Sequence, residues 1–217
     1  MCGRYTLTVD IKSVAEKFGV PATLDTSPRY NIAPTQEVVS IMHNGASHLE
    51  WLRWGLIPSW AKDESIGSRM INARAETLTE KPSFKGLLRS KRCLVIADGF
   101  YEWKQENGLK TPMYISLKSG EPFAFAGLWD QWKSSDGQQI RSCTLITTEP
   151  NDVVATIHNR MPAILLPEAY ELWLDPDMRD EQALSHWLAP YPSDEMKARA
   201  VSRLVNDPKR DSPELLA

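Results

Sequence analysis

A cysteine directly after the first methionine carries the most distinctive chemistry in this chain. A small residue in second place permits removal of Met1, which would leave Cys2 as the new N-terminus. An α-amine titrates at roughly 7.7–8.0, against about 10.4 for a lysine, so a useful fraction is unprotonated at neutral pH. Such an amine condenses with an aldehyde to a Schiff base. The thiol on the same carbon framework can then add to the imine and close a five-membered thiazolidine. No internal cysteine or lysine can make that ring. By position alone, Cys2 also reads as an incidental neighbour of the start codon.

Other short motifs follow in order. Met1-Cys2-Gly3-Arg4-Tyr5 is followed by Arg29-Tyr30-Asn31-Ile32-Ala33-Pro34 and by Trp54-Gly55-Leu56-Ile57-Pro58-Ser59-Trp60. Then come Ile71-Asn72-Ala73-Arg74-Ala75-Glu76-Thr77, Ala97-Asp98-Gly99-Phe100-Tyr101-Glu102-Trp103 and Ile157-His158-Asn159-Arg160-Met161-Pro162. Taken together, from Met1 to about Leu174, they resemble the SRAP (SOS response-associated peptidase) family. The resemblance implies shielding of abasic sites in single-stranded DNA, through a covalent thiazolidine crosslink at the N-terminal cysteine, as part of a DNA damage response. It also implies some lyase behaviour, and a peptidase activity confined mainly to removal of Met1. It puts four residues in the site: Cys2, Asn72, Glu102 and His158.

Chemistry gives each of these a use. Opening the sugar, dehydrating the carbinolamine and closing the ring each move a proton. Glu102 and His158 suit that task, the imidazole because its unperturbed value lies near ~6.5. Asn72 cannot titrate and suits orienting the sugar or the amine. Each also has an ordinary reading: Glu102 as a surface strand carboxylate, His158 as a histidine favoured by a helix C-terminus, Asn72 as a turn or cap residue. Among DNA-binding candidates, Arg4 and Arg74 are expected phosphate clamps, since guanidinium forks match phosphate oxygens. Arg160, with Arg29, Arg53 and Arg69, would extend the patch, and Asn31 and Pro34 would line the pocket floor. Trp60 is read either as a base-stacking residue or as core. No sequence preference is expected, because an abasic nucleotide has no base to read.

The elements that must position these residues read as follows. Asp10 to Phe18 has a helix pattern, with Asp10 as N-cap and Gly19 ending it. Glu37–His43 and Ser47–Trp54 are strands around the Asn44-Gly45 turn signal. A long irregular stretch spans Gly55–Arg69. Arg92–Ala97, Phe100–Lys104, Pro112–Leu117, Phe123–Leu128, Ile140–Thr148 and Met161–Leu165 read as strands. Pro150–Ile157, Pro167–Leu174 and Asp180–Leu188 read as helices, and the tail after Asp207 as loose. This is an α+β class: a single domain on a curved, barrel-like, mostly antiparallel sheet with peripheral helices.

The 217 residues, 42% hydrophobic and 24% charged, fit one ordinary globular domain. A net charge of −3 argues against a globally basic nucleic-acid binder, so any DNA site must be a local patch. Three cysteines argue against a disulfide framework and their spacing matches no zinc site; Cys93 and Cys143 fall in apolar strands and read as core. No G-x-G-x-x-G or P-loop is present, and no cofactor is expected. No apolar run approaches the ~20 residues needed to span a bilayer, and charges break the N-terminus as a signal peptide. The expectation is a cytoplasmic monomer that meets single-stranded DNA, with no membrane or metal partner. Two alternatives remain at this point. One is a thiol peptidase using Cys2, His158 and Glu102 as nucleophile, base and orienter; the other is a non-covalent single-strand or modified-base binding module.

Overall fold

The structure, a computed structural model, describes residues 2–217. Its strands run β1 (Tyr5–Leu7), β2 (Arg29–Ile32), β3 (Glu37–Asn44), β4 (Ala46–Trp54), β5 (Asn72–Arg74), β6 (Arg92–Ala97) and β7 (Gly99–Glu106). They continue with β8 (Leu109–Leu117), β9 (Phe123–Lys133), β10 (Gln139–Thr148), β11 (Met161–Pro162), β12 (Ile164–Leu165) and β13 (Met196–Ala200). The α-helices are α1 (Ile11–Phe18), α2 (Pro82–Ser90), α3 (Asp152–Ala155), α4 (Tyr170–Leu174) and α5 (Glu181–His186).

Five strands close on themselves. β3 and β4 form the hairpin marked by Asn44-Gly45, with Gly45 at φ 75°. β3 pairs β6, β6 pairs β9 and β9 pairs β10. β10 then returns to β4 through the parallel pairs Ser142–Arg53 and Cys143–Trp54. Closure of this kind removes exposed sheet edges. All six residues of β6 are buried, which is why its sequence is a continuous apolar run. Arg92 at its start is the polar exception. Its guanidinium donates to the carbonyls of Leu88 and Trp173, at the C-terminal ends of α2 and α4, where orphan acceptors need partners.

A second, antiparallel sheet runs β13-β8-β7-β1-β2. Tyr5 of β1 joins it to the ring, packing on Trp54 at 5.3 Å and on Phe125 at 5.6 Å between ring centroids. The α+β, barrel-like and mostly antiparallel architecture is therefore as expected.

Several elements differ from expectation. The helix over 150–157 is a single turn, capped by the Asn151 side chain on the Val154 N–H. The strand over 161–165 divides at Ala163 into β11, which pairs β10, and β12, which pairs β9. β5 is too short to show an alternating pattern, and β13, where apolar and basic residues alternate over Met196–Ala200, is a strand that sequence reasoning missed. The tail beyond Asp207, expected to be loose, is docked. Leu215 is fully buried, and Asp211 accepts from the Arg29 side chain and from the backbone N–H groups of Tyr30 and Asn31. Its polar composition suggests solvent, but its polar groups are matched to β2. No helix among the described residues is long and apolar enough to cross a membrane.

Candidate active site

β1 lies against β7 with Tyr5 opposite Phe100 and Thr6 opposite Gly99. Gly99 is required at this crossing, because a Cβ there would sit 2.1 Å from the Tyr114 hydroxyl. The Tyr101 N–H donates to the Arg4 carbonyl at 2.9 Å, which continues the contact between the two segments one residue beyond β1, toward Cys2. Asp98 pins the far end of β1. Its buried carboxylate accepts from the Thr6 hydroxyl at 2.5 Å, from the Thr8 N–H and hydroxyl at 2.6 Å each, and from the Val9 N–H at 3.2 Å.

Asn72 arrives on β5, parallel to β10 with Asn72 opposite Leu145. Its Nδ2 donates to the Cys2 carbonyl at 2.8 Å. Its Oδ1 is buried and lacks a hydrogen-bond partner among the described residues, which leaves one acceptor for a bound group. His158 follows α3, with its N–H donating to the Val154 carbonyl at 2.8 Å. The ring Nδ1 lies 3.0 Å from the Arg160 N–H, which donates to it, and 3.2 Å from the Arg160 carbonyl. A groove of about 580 Å³ lies between β7, β8, α3 and β13, lined by Lys104, Met113, Thr156, Ile157 and Met196; neither Glu102 nor His158 lines it.

The electrostatics join these residues. Cys2 is fully buried, and burial, reinforced by the charge of Glu102, pushes its thiol well above the ordinary thiol value. Burial raises the Glu102 carboxyl as well, while the charge of His158 pulls it back. A carboxyl raised in this way holds its proton more readily than an ordinary glutamate, which suits it to proton transfer. Cys2, Asn72, Glu102 and His158 are thus brought together from four separate elements.

The proposed DNA-contacting residues divide. Trp60 is 63% exposed on a loop held on both sides. The Ser59 N–H donates to Asp130 at 2.7 Å and the Trp132 indole donates to the Ala61 carbonyl at 2.8 Å. The loop doubles back where Gly55, at φ 128°, meets Gly67; a Cβ on Gly55 would lie 2.7 Å from the Gly67 carbonyl. The core reading of Trp60 is therefore excluded. Arg74 is exposed and Pro34 half-buried. Arg160 is engaged by both oxygens of Glu76, at 2.6 and 3.0 Å, and by the Thr147 carbonyl at 2.6 Å. Arg29 and Arg53 pair with Asp211 and Glu64. Arg4 donates to the Asn31 Oδ1 at 2.8 Å and to the Val205 carbonyl at 2.9 Å.

Asn31 does not line an open floor. It is fully buried, and its Nδ2 donates to the carbonyls of Asp207 at 3.0 Å and Arg210 at 2.7 Å. It anchors the tail. Asp98 and Glu76 were not singled out from sequence, although both lie inside the motifs. No group of three or more metal-ligating side chains occurs among the described residues.

A family model described as SOS response associated peptidase (SRAP) matches residues 1–208. The chain belongs to the SRAP family. "Abasic site processing protein YoqW" of Bacillus subtilis strain 168 is 50% identical over 221 residues, covering 100% of this chain and 99% of that protein. "Abasic site processing protein HMCES" of Gallus gallus is 35% identical over 190 residues, covering 76% of this chain and 56% of that longer protein. Among solved structures, a protein of Bacteroides thetaiotaomicron superposes with a TM-score of 0.88 at 29% identity, over 99% of this chain and 98% of that one.

Proposed function

We propose that this SRAP protein captures abasic sites in single-stranded DNA by forming a thiazolidine between the sugar aldehyde and Cys2, once Met1 has been removed. The observation that carries the reading is the Asn72 amide bonded to the Cys2 carbonyl at 2.8 Å, with the charge of Glu102 acting on the same cysteine. The names of the relatives, all abasic site processing proteins, point to the substrate.

The reaction balances without a cofactor. The Cys2 amine adds to the aldehyde carbon, and the carbinolamine loses one water to give the imine. The thiol then adds across the C=N bond, sulfur to carbon and proton to nitrogen, so the adduct forms with net loss of one water. A thiol held protonated by burial is suited to this order, because the amine attacks first and the thiol proton is needed on nitrogen at the end. The same burial disfavours a resident thiolate of the kind a general thiol peptidase uses. Glu102 and His158 carry the protons of ring opening and dehydration, and Asn72 orients the Cys2 end. Arg74 is the open phosphate contact, and Trp60 stacks on a base next to the lesion.

Two variants test the reading. Placing one residue between Met1 and Cys2 buries the amine in a peptide bond and is expected to abolish the adduct. Cys2→Ala leaves an amine without a thiol and is expected to give an imine that borohydride traps and strand cleavage follows. An undiminished adduct from the extended chain, or a stable untrapped adduct from Cys2→Ala, refutes it.

A further inference from the structure

The side chain of Arg4 runs into the C-terminal tail. Its Nη1 donates to the Asn31 Oδ1 at 2.8 Å and to the Val205 carbonyl at 2.9 Å. Its Nε is buried, so the stem lies inside the fold. Asn31 extends the hold, because its Nδ2 donates to the carbonyls of Asp207 at 3.0 Å and Arg210 at 2.7 Å. Val205 and Leu215 are fully buried, so these acceptors stand on a docked segment. The backbone of Arg4 meets the reactive residue. Its carbonyl accepts from the Tyr101 N–H at 2.9 Å, and the Cys2 Sγ lies 3.9 Å from the same oxygen, within reach of a weak thiol hydrogen bond. The Tyr101 hydroxyl donates in turn to the Tyr30 carbonyl at 2.8 Å, one residue before Asn31. Arg4 thus joins the tail, through its side chain, to the Cys2 thiol, through its backbone.

We infer that Arg4 is a positioning residue, clamped by Asn31 and the Val205 carbonyl so that its own carbonyl holds the Cys2 thiol in place, and not the phosphate contact that its residue type suggests. The inference rests on the thiazolidine reading above for its kinetic arm. Asn72 holds the Cys2 carbonyl at 2.8 Å, so Cys2 is gripped at two points, its carbonyl and its sulfur. The ring closes only when that sulfur reaches the imine carbon. Fixing it bears on the rate after DNA is bound, and not on binding. A phosphate clamp does the reverse: it bears on affinity and on the salt dependence of affinity. The role also gives the docked tail a part in the site, which it supports through Arg4.

The test uses the full chain with Arg4→Met, which keeps the stem and removes every donor, and Arg4→Lys, which keeps a donor. Amide hydrogen exchange followed by NMR needs no DNA. In Arg4→Met the Tyr101 amide, which bonds the Arg4 carbonyl, should lose protection while the amides that pair β7 with β8 keep theirs. The crosslinking rate at saturating abasic oligonucleotide should fall about tenfold, as expected for a reacting group displaced by a fraction of an ångström. Affinity for an oligonucleotide with a reduced abasic analogue, which has no aldehyde, should stay unchanged, and so should its slope against salt. Arg4→Lys should recover most of the rate and of the Tyr101 protection. A weaker affinity with a salt slope smaller by about 0.7, the loss of one single-strand phosphate contact, overturns the inference and makes Arg4 a clamp. So does Arg4→Met with the parent rate and the parent Tyr101 protection. Should Arg4→Met not fold, the same three measurements on Arg4→Lys decide: affinity and slope as in the parent support positioning, and a reduced slope refutes it. If the parent forms no adduct at all, the proposed reaction fails, and the Tyr101 exchange alone decides the positioning role.

Discussion

Asp98 lies more than ninety positions from Cys2 in sequence, yet it holds β1, the strand that follows Cys2. Replacing it with alanine should expose that dependence. The carboxylate accepts four hydrogen bonds, from the Thr6 hydroxyl, the Thr8 N–H and hydroxyl, and the Val9 N–H. Hydrogen bonds to a charged acceptor contribute about 1.5–3 kcal/mol each, but the four share one acceptor and do not add. The Thr6 hydroxyl keeps the Gly99 carbonyl at 3.2 Å and the Tyr114 hydroxyl at 3.0 Å, so it is not orphaned. Thr8 and Val9 are half-buried, and water can partly replace what they lose. Discounting on both grounds leaves a cost of about 3–5 kcal/mol for Asp98→Ala. That fits within the ~5–15 kcal/mol of a typical domain, so the variant should fold with reduced stability. Urea unfolding followed by tryptophan fluorescence measures the cost, and crosslinking at low temperature, where both proteins are folded, measures the effect on Cys2. The expectation is a slower adduct even when the chain is fully folded, because the end of β1 near Cys2 depends on register with β7. A cost below about 1 kcal/mol with an unchanged adduct rate would refute the argument that this carboxylate sets the register.

Glu102→Gln should abolish or severely slow crosslinking while raising the melting temperature. The raised folded-state value of Glu102 means that its ionisation opposes folding; the gain should therefore appear as pH rises above the unfolded carboxyl value and vanish below it, a trend that thermal melts across pH check. Trp60→Ala should leave stability unchanged, since the side chain is 63% exposed, and should weaken single-strand binding by about 1–3 kcal/mol, read by fluorescence anisotropy. Leu215→Ala should cost about 2–4 kcal/mol, which urea unfolding measures, because the residue is fully buried; a loose tail would show no loss.

What could be read from the sequence was what rests on local signals. Asp10 and Gly19 bound α1 where capping chemistry puts them, and the Asn44-Gly45 turn set the β3–β4 register. The four residues assigned to the site from the SRAP resemblance converge in space. What was not legible depends on contacts between distant segments. The parallel return of β10 to β4, the docking of the tail on Asn31 and the strap from Glu76 to Arg160 have no periodicity to betray them. Asn31 shows the limit most clearly. A buried asparagine whose amide satisfies tail carbonyls and an asparagine that lines a pocket look the same in sequence; only the partners tell them apart.

The most direct test of covalent capture is the intact mass of the protein before and after incubation with a single-stranded oligonucleotide bearing one abasic site. The account predicts a chain beginning at Cys2, and after incubation a species heavier by one oligonucleotide less one water. A chain that begins at Cys2 and shows no added mass would contradict it.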